Sequence, residues 1–249
     1  MVYENIKYGE HEQQVLDVHI PDCESFPVLV YFHGGGIENG NQKCEFVDDL
    51  VKRGIAVVSA TYRKYPNVKY PQFIEDGATV VKWTKNNIGK YGKSTKFIVG
   101  GTSAGAYITM MLCFNKEFLN NVGEELSDID AWYHNTGQIT THFNVLKERG
   151  IDTKRVVIDE AAPIYYINGE GELPIMEFAV TTNDMPLRHE QHELLMATFK
   201  NYGYDMSKVS YIVQEGSYHG SYVFEKGENG NYIFADMLYD FICKIEKGE

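Results

Sequence analysis

A mostly parallel sheet covered by helices on both faces is the fold class that this sequence predicts. Strand-like apolar runs alternate with helical stretches along its length, which implies parallel strands joined by crossover helices. Glycine-rich loops follow directly after two of those runs, at residues 33–36 and 101–105. The 249 residues, 43% of them hydrophobic, suit one α/β domain with a good-sized core. A single domain over 1–249 is expected, without internal repeats or a low-complexity linker.

The first core strand is expected near Val15. The next run, 28–32, ends in His33-Gly34-Gly35-Gly36. Three consecutive glycines cost backbone entropy that packing does not justify. They make sense where bare N–H groups must approach a developing negative charge, such as the oxyanion of an acyl-transfer intermediate. Each such donor lowers the barrier by roughly 3 to 4 kcal/mol. The N–H groups of Gly35, Gly36 and Ala104 are assigned to that hole. His33 precedes the loop and is expected to pin it by hydrogen bonding rather than to act as a base. Residues 60–63 follow a strand, and Tyr62 there is expected to pack. Arg63 and Arg188, as single arginines, could meet a substrate carboxylate or make surface ion pairs.

A helix over 73–87 precedes the run 96–100 and then Gly101-Thr102-Ser103-Ala104-Gly105, which opens a helix over 104–114. Ser103 therefore sits at a strand-to-helix turn tight enough to strain the backbone, with glycines removing the Cβ atoms that would collide. Its hydroxyl faces the positive end of the helix. The next 40 residues, 115–154, exceed the roughly 2 to 6 that usually join such elements, and a lid insertion is expected there. Its middle mixes aromatic and short polar side chains. Trp132 and His142 are expected to line an acyl or sugar pocket. The competing expectation is that Trp132, Tyr133 and Phe143 only anchor the insertion.

Strands are expected at 155–158 and at 173–180. The exit loop of the second carries Asp184. A helix over 187–202, stopped by Gly203, contains His189-Glu190-Gln191-His192, one residue short of the zinc-protease spacing, and is expected to show a solvated face. A strand over 208–214 exits through 215–220, which places His219 on the edge of Ser103. A helix over 232–245 closes the chain. A serine hydroxyl needs a histidine to take its proton and an acid to hold that ring. In the order serine, acid, histidine, the triad is Ser103, Asp184 and His219, with Asp159 or Glu160 as the competing acid.

Together, His33–Gly36, Gly101–Gly105, Asp184 and His219 resemble the α/β-hydrolase superfamily, from about Val15 to about Phe241. Within it they are similar to esterases related to hormone-sensitive lipase and to compact esterases that remove acetyl or feruloyl groups from plant polysaccharides. Lipase-related members usually carry an acid where this chain has Thr102, a second glycine where it has Ala106, and a long N-terminal cap, so the compact branch is favoured. The resemblance implies a carboxylic ester hydrolase needing neither cofactor nor metal, with Ser103 as nucleophile, Asp184 as acid, His219 as base and Gly35, Gly36 and Ala104 as oxyanion donors. Arylformamidase-like amide hydrolases share the layout but typically have an aromatic residue where Ile37 stands. A catalytically silent binding module is the reading from another class.

A net charge of −12 argues against nucleic acid or an anionic membrane as partner. The partner expected is a small-molecule or oligosaccharide ester. Residues 1–6 lack a basic start followed by an apolar core, and nowhere do about eighteen apolar residues run together, so a cytoplasmic location is expected. The four cysteines show no C-x-x-C spacing; free thiols fit a reducing compartment, and a disulfide is the alternative.

Overall fold

The computed structural model describes residues 1–248. Its strands are β1 (Val2–Lys7), β2 (Val15–His19), β3 (Ser25–Phe32), β4 (Ala56–Ala60), β5 (Lys93–Thr102), β6 (Ala131–Asn135), β7 (Met176–Asn183) and β8 (Val209–Tyr218). They form one sheet in the order β1-β2-β4-β3-β5-β6-β7-β8. The pairs β1–β2 and β2–β4 are antiparallel, and every other pair is parallel. The α-helices are α1 (Val47–Lys52), α2 (Gln72–Asn87), α3 (Ala104–Phe114), α4 (Glu117–Asn120), α5 (Phe143–Glu148), α6 (Arg188–Asn201) and α7 (Ile233–Lys247). This is the α/β-hydrolase architecture.

Side chains alternate across a strand, and β3 shows how that alternation builds two cores. Val28, Val30 and Phe32 join the cluster that contains Phe73 of α2, Ile108 of α3 and Phe199 of α6. Leu29 and Tyr31 join the cluster that contains Leu50 of α1 and Leu238 and Phe241 of α7. Being covered on both faces, β3 and β4 read as continuous apolar runs rather than as alternating ones. All eleven residues of α3 are buried. It is hydrophobic all round because it lies inside the molecule.

The lid expected over 115–154 is corrected by the sheet. Its middle is β6, hydrogen-bonded between β5 and β7, with all five residues buried. Trp132 and Tyr133 favour strands, but the run Ala-Trp-Tyr-His-Asn has no β-branched residue and no apolar alternation to mark it, and pairing with β5 and β7 completes it. The long excursion comes after it, over residues 136–175, and carries α5. Residues 155–158 form no strand; Val156 and Ile158 are exposed there. All four cysteines are free, Cys113 buried within α3, so the disulfide alternative falls. No helix among the described residues is long and apolar enough to cross a membrane.

Candidate active site

At the carboxyl end of β5 the chain turns into α3 through Ser103, whose backbone has φ 56° and ψ −113°. Non-glycine residues rarely hold that conformation, and it persists only where the surroundings fix it. Here the Ser103 N–H donates to the Asn135 carbonyl at 2.7 Å, tying the turn to the end of β6. Thr102 adds a second tie, since its hydroxyl oxygen accepts from Tyr31 Oη at 2.8 Å and from Asn135 Nδ2 at 3.0 Å. The flanking glycines are required by close approach. A Cβ on Gly101 would lie 2.5 Å from the Gly105 carbonyl carbon, and one on Gly105 would lie as close to that of Phe32.

β7 and β8 lie side by side, so their exit loops bring Asp184 and His219 to the same edge. His219 Nε2 lies 2.8 Å from Ser103 Oγ, and its Nδ1 meets Asp184 Oδ1. With Nδ1 donating to the carboxylate, Nε2 is the acceptor for the serine proton. Asp184 is held by the Met185 N–H at 2.7 Å and the Thr181 hydroxyl at 3.1 Å. Burial alone would raise its carboxyl, but the hydrogen bond and charge of His219, with the Met185 N–H, bring it below its ordinary range.

Gly35 and Gly36 have φ of 111° and 66°, a region that favours glycine. A Cβ on Gly34 would sit 3.3 Å from Ser103 Cβ, which shows how close the loop runs to the serine. Among the described residues, the N–H groups of Gly35, Gly36 and Ala104 donate to no protein acceptor. Gly36 turns toward Phe143, and its carbonyl accepts from Asn144 Nδ2. His33 pins this loop: Nδ1 meets the Gly34 carbonyl at 2.5 Å, Nε2 meets Thr61 Oγ1 at 3.1 Å, and the ring stacks on buried Tyr62. Burial pushes its imidazole down to about 4, which keeps it neutral.

Ser103, His219 and Gly35 open onto a cavity of about 420 Å³ walled by Tyr31, Phe46, Val223 and Phe224. Phe224 is 79% exposed at its mouth. Of these walls, Tyr31 flanks the glycine loop in sequence and Phe224 lies five residues beyond His219, while nothing local marks Phe46 or Val223. Trp132 and His142 do not line this cavity. Trp132 is wholly buried in β6 and stacks on His134, while His142 caps α5 through the Asn144 N–H and packs on Tyr107 and Phe143. Their aromatic and polar character serves the interior of the fold.

The competing residues are engaged elsewhere. Asp159 and Glu160 pair with Arg149 at 2.7 and 3.1 Å, and Arg63 pairs with Asp76 at 2.7 Å. His189 faces Glu193, but His192 is buried, with Nε2 at 2.9 Å from the Gly137 carbonyl, so the solvated face expected for that pair is corrected for His192.

A model of the family described as BD-FAE matches residues 16–199. The gibberellin receptor GID1C of Arabidopsis thaliana is 32% identical over 103 residues, covering 38% of this chain and 30% of the receptor. Esterase LipC of Mycobacterium tuberculosis is 30% identical over 114 residues, covering 43% of this chain and 28% of the esterase. The matched part is thus under a third of either relative's length. Among solved structures, a truncated carbohydrate esterase from gut microbiota superposes with a TM-score of 0.80 at 18% identity, over 99% of this chain and 96% of that one. Esterase B from Lactobacillus rhamnosis gives 0.79 at 16% identity, over 100% and 86%.

Proposed function

The chain belongs to the BD-FAE family, and from that membership and the geometry at Ser103 we propose that it is a serine carboxylic ester hydrolase acting on acylated carbohydrate. The observation that carries this reading is His219 standing between Ser103 Oγ and the buried Asp184 carboxylate. In this reading Ser103 Oγ attacks the ester carbonyl while His219 Nε2 takes its proton. Gly35, Gly36 and Ala104 donate to the oxyanion, and the alcohol leaves with the proton from His219. Water, deprotonated by the same ring, then attacks the acyl-serine and releases the acid.

The cavity supports the choice of substrate. Its aromatic walls suit the flat faces of a sugar or a feruloyl group, and its 420 Å³ is of the size that holds small ligands. Small acyl groups, acetyl first and feruloyl second, are the reading that the compact cavity and the carbohydrate-esterase neighbour support. A ligand-binding role without turnover is the second reading, prompted by the gibberellin receptors among the relatives. An acid, a base and a nucleophile in register favour catalysis over it.

The test is hydrolysis of 4-nitrophenyl acetate, acetylated xylo-oligosaccharide and methyl ferulate by wild type and Ser103→Ala. Turnover of the sugar ester or ferulate that falls by about 10⁴ or more in kcat in the variant is expected. Turnover of the aryl ester alone would remove the carbohydrate assignment. Ligand binding that survives Ser103→Ala with no turnover by either protein would replace the reading with the receptor-like one.

A further inference from the structure

Arg188 opens α6, four residues beyond Asp184, and is only 5% exposed. Buried guanidinium groups are normally paired with a carboxylate, because an unpaired buried charge is costly. This one makes no ion pair among the described residues. Its Nε has no partner, and Nη2 reaches only the Met185 sulfur, at 4.0 Å. Burial lowers its ionisation to about 10, with Asp184 pulling the other way, so it stays charged at neutral pH.

The side chain borders a cavity of about 430 Å³ that also takes in Gln138, Phe143, Lys154, Arg155 and Met185. Its lining holds three cations and no acid, in a chain whose net charge is −12. Solubility does not call for cations concentrated at one hollow. The cavity adjoins the proposed catalytic site at two points. Met185 donates its N–H to Asp184, and the Phe143 ring lies 3.2 Å from where a Cβ on Gly36 would stand.

We propose that this cavity is a subsite for a carboxylate carried by the substrate, held by the fork of Arg188 with Lys154 and Arg155 at its rim. A guanidinium offers two parallel N–H donors to a carboxylate, and the bound anion supplies the partner that Arg188 lacks within the protein. The inference rests on the hydrolase reading for the word substrate; the anion site itself does not. Two sources carry this chemistry, an acyl group ending in a free acid and a uronic acid in the alcohol part.

The experiment compares matched esters. For the acyl side, 4-nitrophenyl hydrogen succinate is set against its neutral methyl ester. For the alcohol side, acetylated galacturonic acid is set against acetylated galactose. Wild type is expected to favour the charged member of one pair by about tenfold in kcat/KM, and the pair in which this appears identifies the source. Arg188→Met should collapse that ratio to about one, whatever it does to the neutral ester, and Arg188→Lys should restore part of it. A purely structural arginine would lower both rates together. Should Arg188→Met fail to fold, Lys154→Gln with Arg155→Gln at the exposed rim should still cut the ratio about twofold and flatten its salt dependence. Equal rates within both pairs, or a ratio that every variant leaves in place, overturns the inference while the hydrolase reading stands. If no ester is turned over, that reading fails first, and calorimetric titration with succinate and galacturonate decides the subsite: Arg188-dependent binding upholds it, and no binding of either removes it.

Discussion

Gly105 has no spare room at all. A methyl group there would press on the Phe32 carbonyl carbon and come within 2.8 Å of the His33 carbonyl oxygen, both backbone atoms of the neighbouring strand exit. Backbone cannot swing aside as a long side chain can. Gly105→Ala is therefore expected to cost about 1 to 3 kcal/mol in urea unfolding and to push Ser103 away from His219, with kcat falling more than KM rises. A variant with unchanged midpoint and unchanged kcat would show that the turn relaxes freely. His33 illustrates a different constraint. Its ring is neutral, buried and stacked, and its two nitrogens hold Gly34 and Thr61, so this histidine serves as a strut for the glycine loop.

Among the elements, β6 is buried along its whole length, its polar His134 and Asn135 included. Trp132 lies inside it, shielded by His134 and the surrounding core. Trp132→Ala is expected to cost about 3 to 5 kcal/mol, read from chemical denaturation. The folded fraction should keep its kcat/KM on short-chain aryl esters. A loss confined to kcat/KM, with stability intact, would return Trp132 to a binding wall. The elements that sequence reveals well are those whose pattern is local. α3 follows 104–114 to the residue, α2 and α6 lie within one residue of expectation, and Asp184 and His219 stand where expected, just beyond runs that read plainly as strands. β6 is hard to see in the sequence because its two strand formers, Trp132 and Tyr133, stand beside His134 and Asn135 in a run too short and too mixed to show a period, and its place between β5 and β7 is a non-local pairing. The run 155–158 misled for the converse reason. It has the β-branched residues of a strand, but no neighbour takes it into the sheet.

Across the molecule as a whole, four histidines are buried and held neutral. Burial lowers His33 and His192 to about 4 and His134 to about 3, and takes His142 well below its usual value. Between about pH 4 and 6.5 the unfolded chain, whose histidines titrate at their ordinary value, binds more protons than the fold, so stability rises with pH there. Above that range the effect is absent. As pH falls from about 6.5 toward 4, His33 and His192 each remove stability on the order of 1 kcal/mol per pH unit. Carboxyls held below their ordinary range, Asp184 and Asp159 among them, add losses in the same direction at still lower pH. The melting temperature is expected to fall steadily between pH 6.5 and 4.5. A flat profile across that range would mean that these rings carry their protons in the fold.

The sheet order also gives the residues of the proposed triad unequal support. Ser103 hangs from β5 in the middle of the sheet, whereas His219 hangs from β8, a boundary strand with β7 as its one neighbour. Residues 209–214 of β8 are partly open to water over most of their length, while residues 97–102 of β5 are buried. Strands held on one side and wetted on the other open at lower free energy than those locked between two neighbours. Opening of that margin would move the proposed base His219 away from Ser103, so ester hydrolysis is expected to fade at lower urea concentration than the global unfolding signal, and coincident curves would show that β8 and β5 open together.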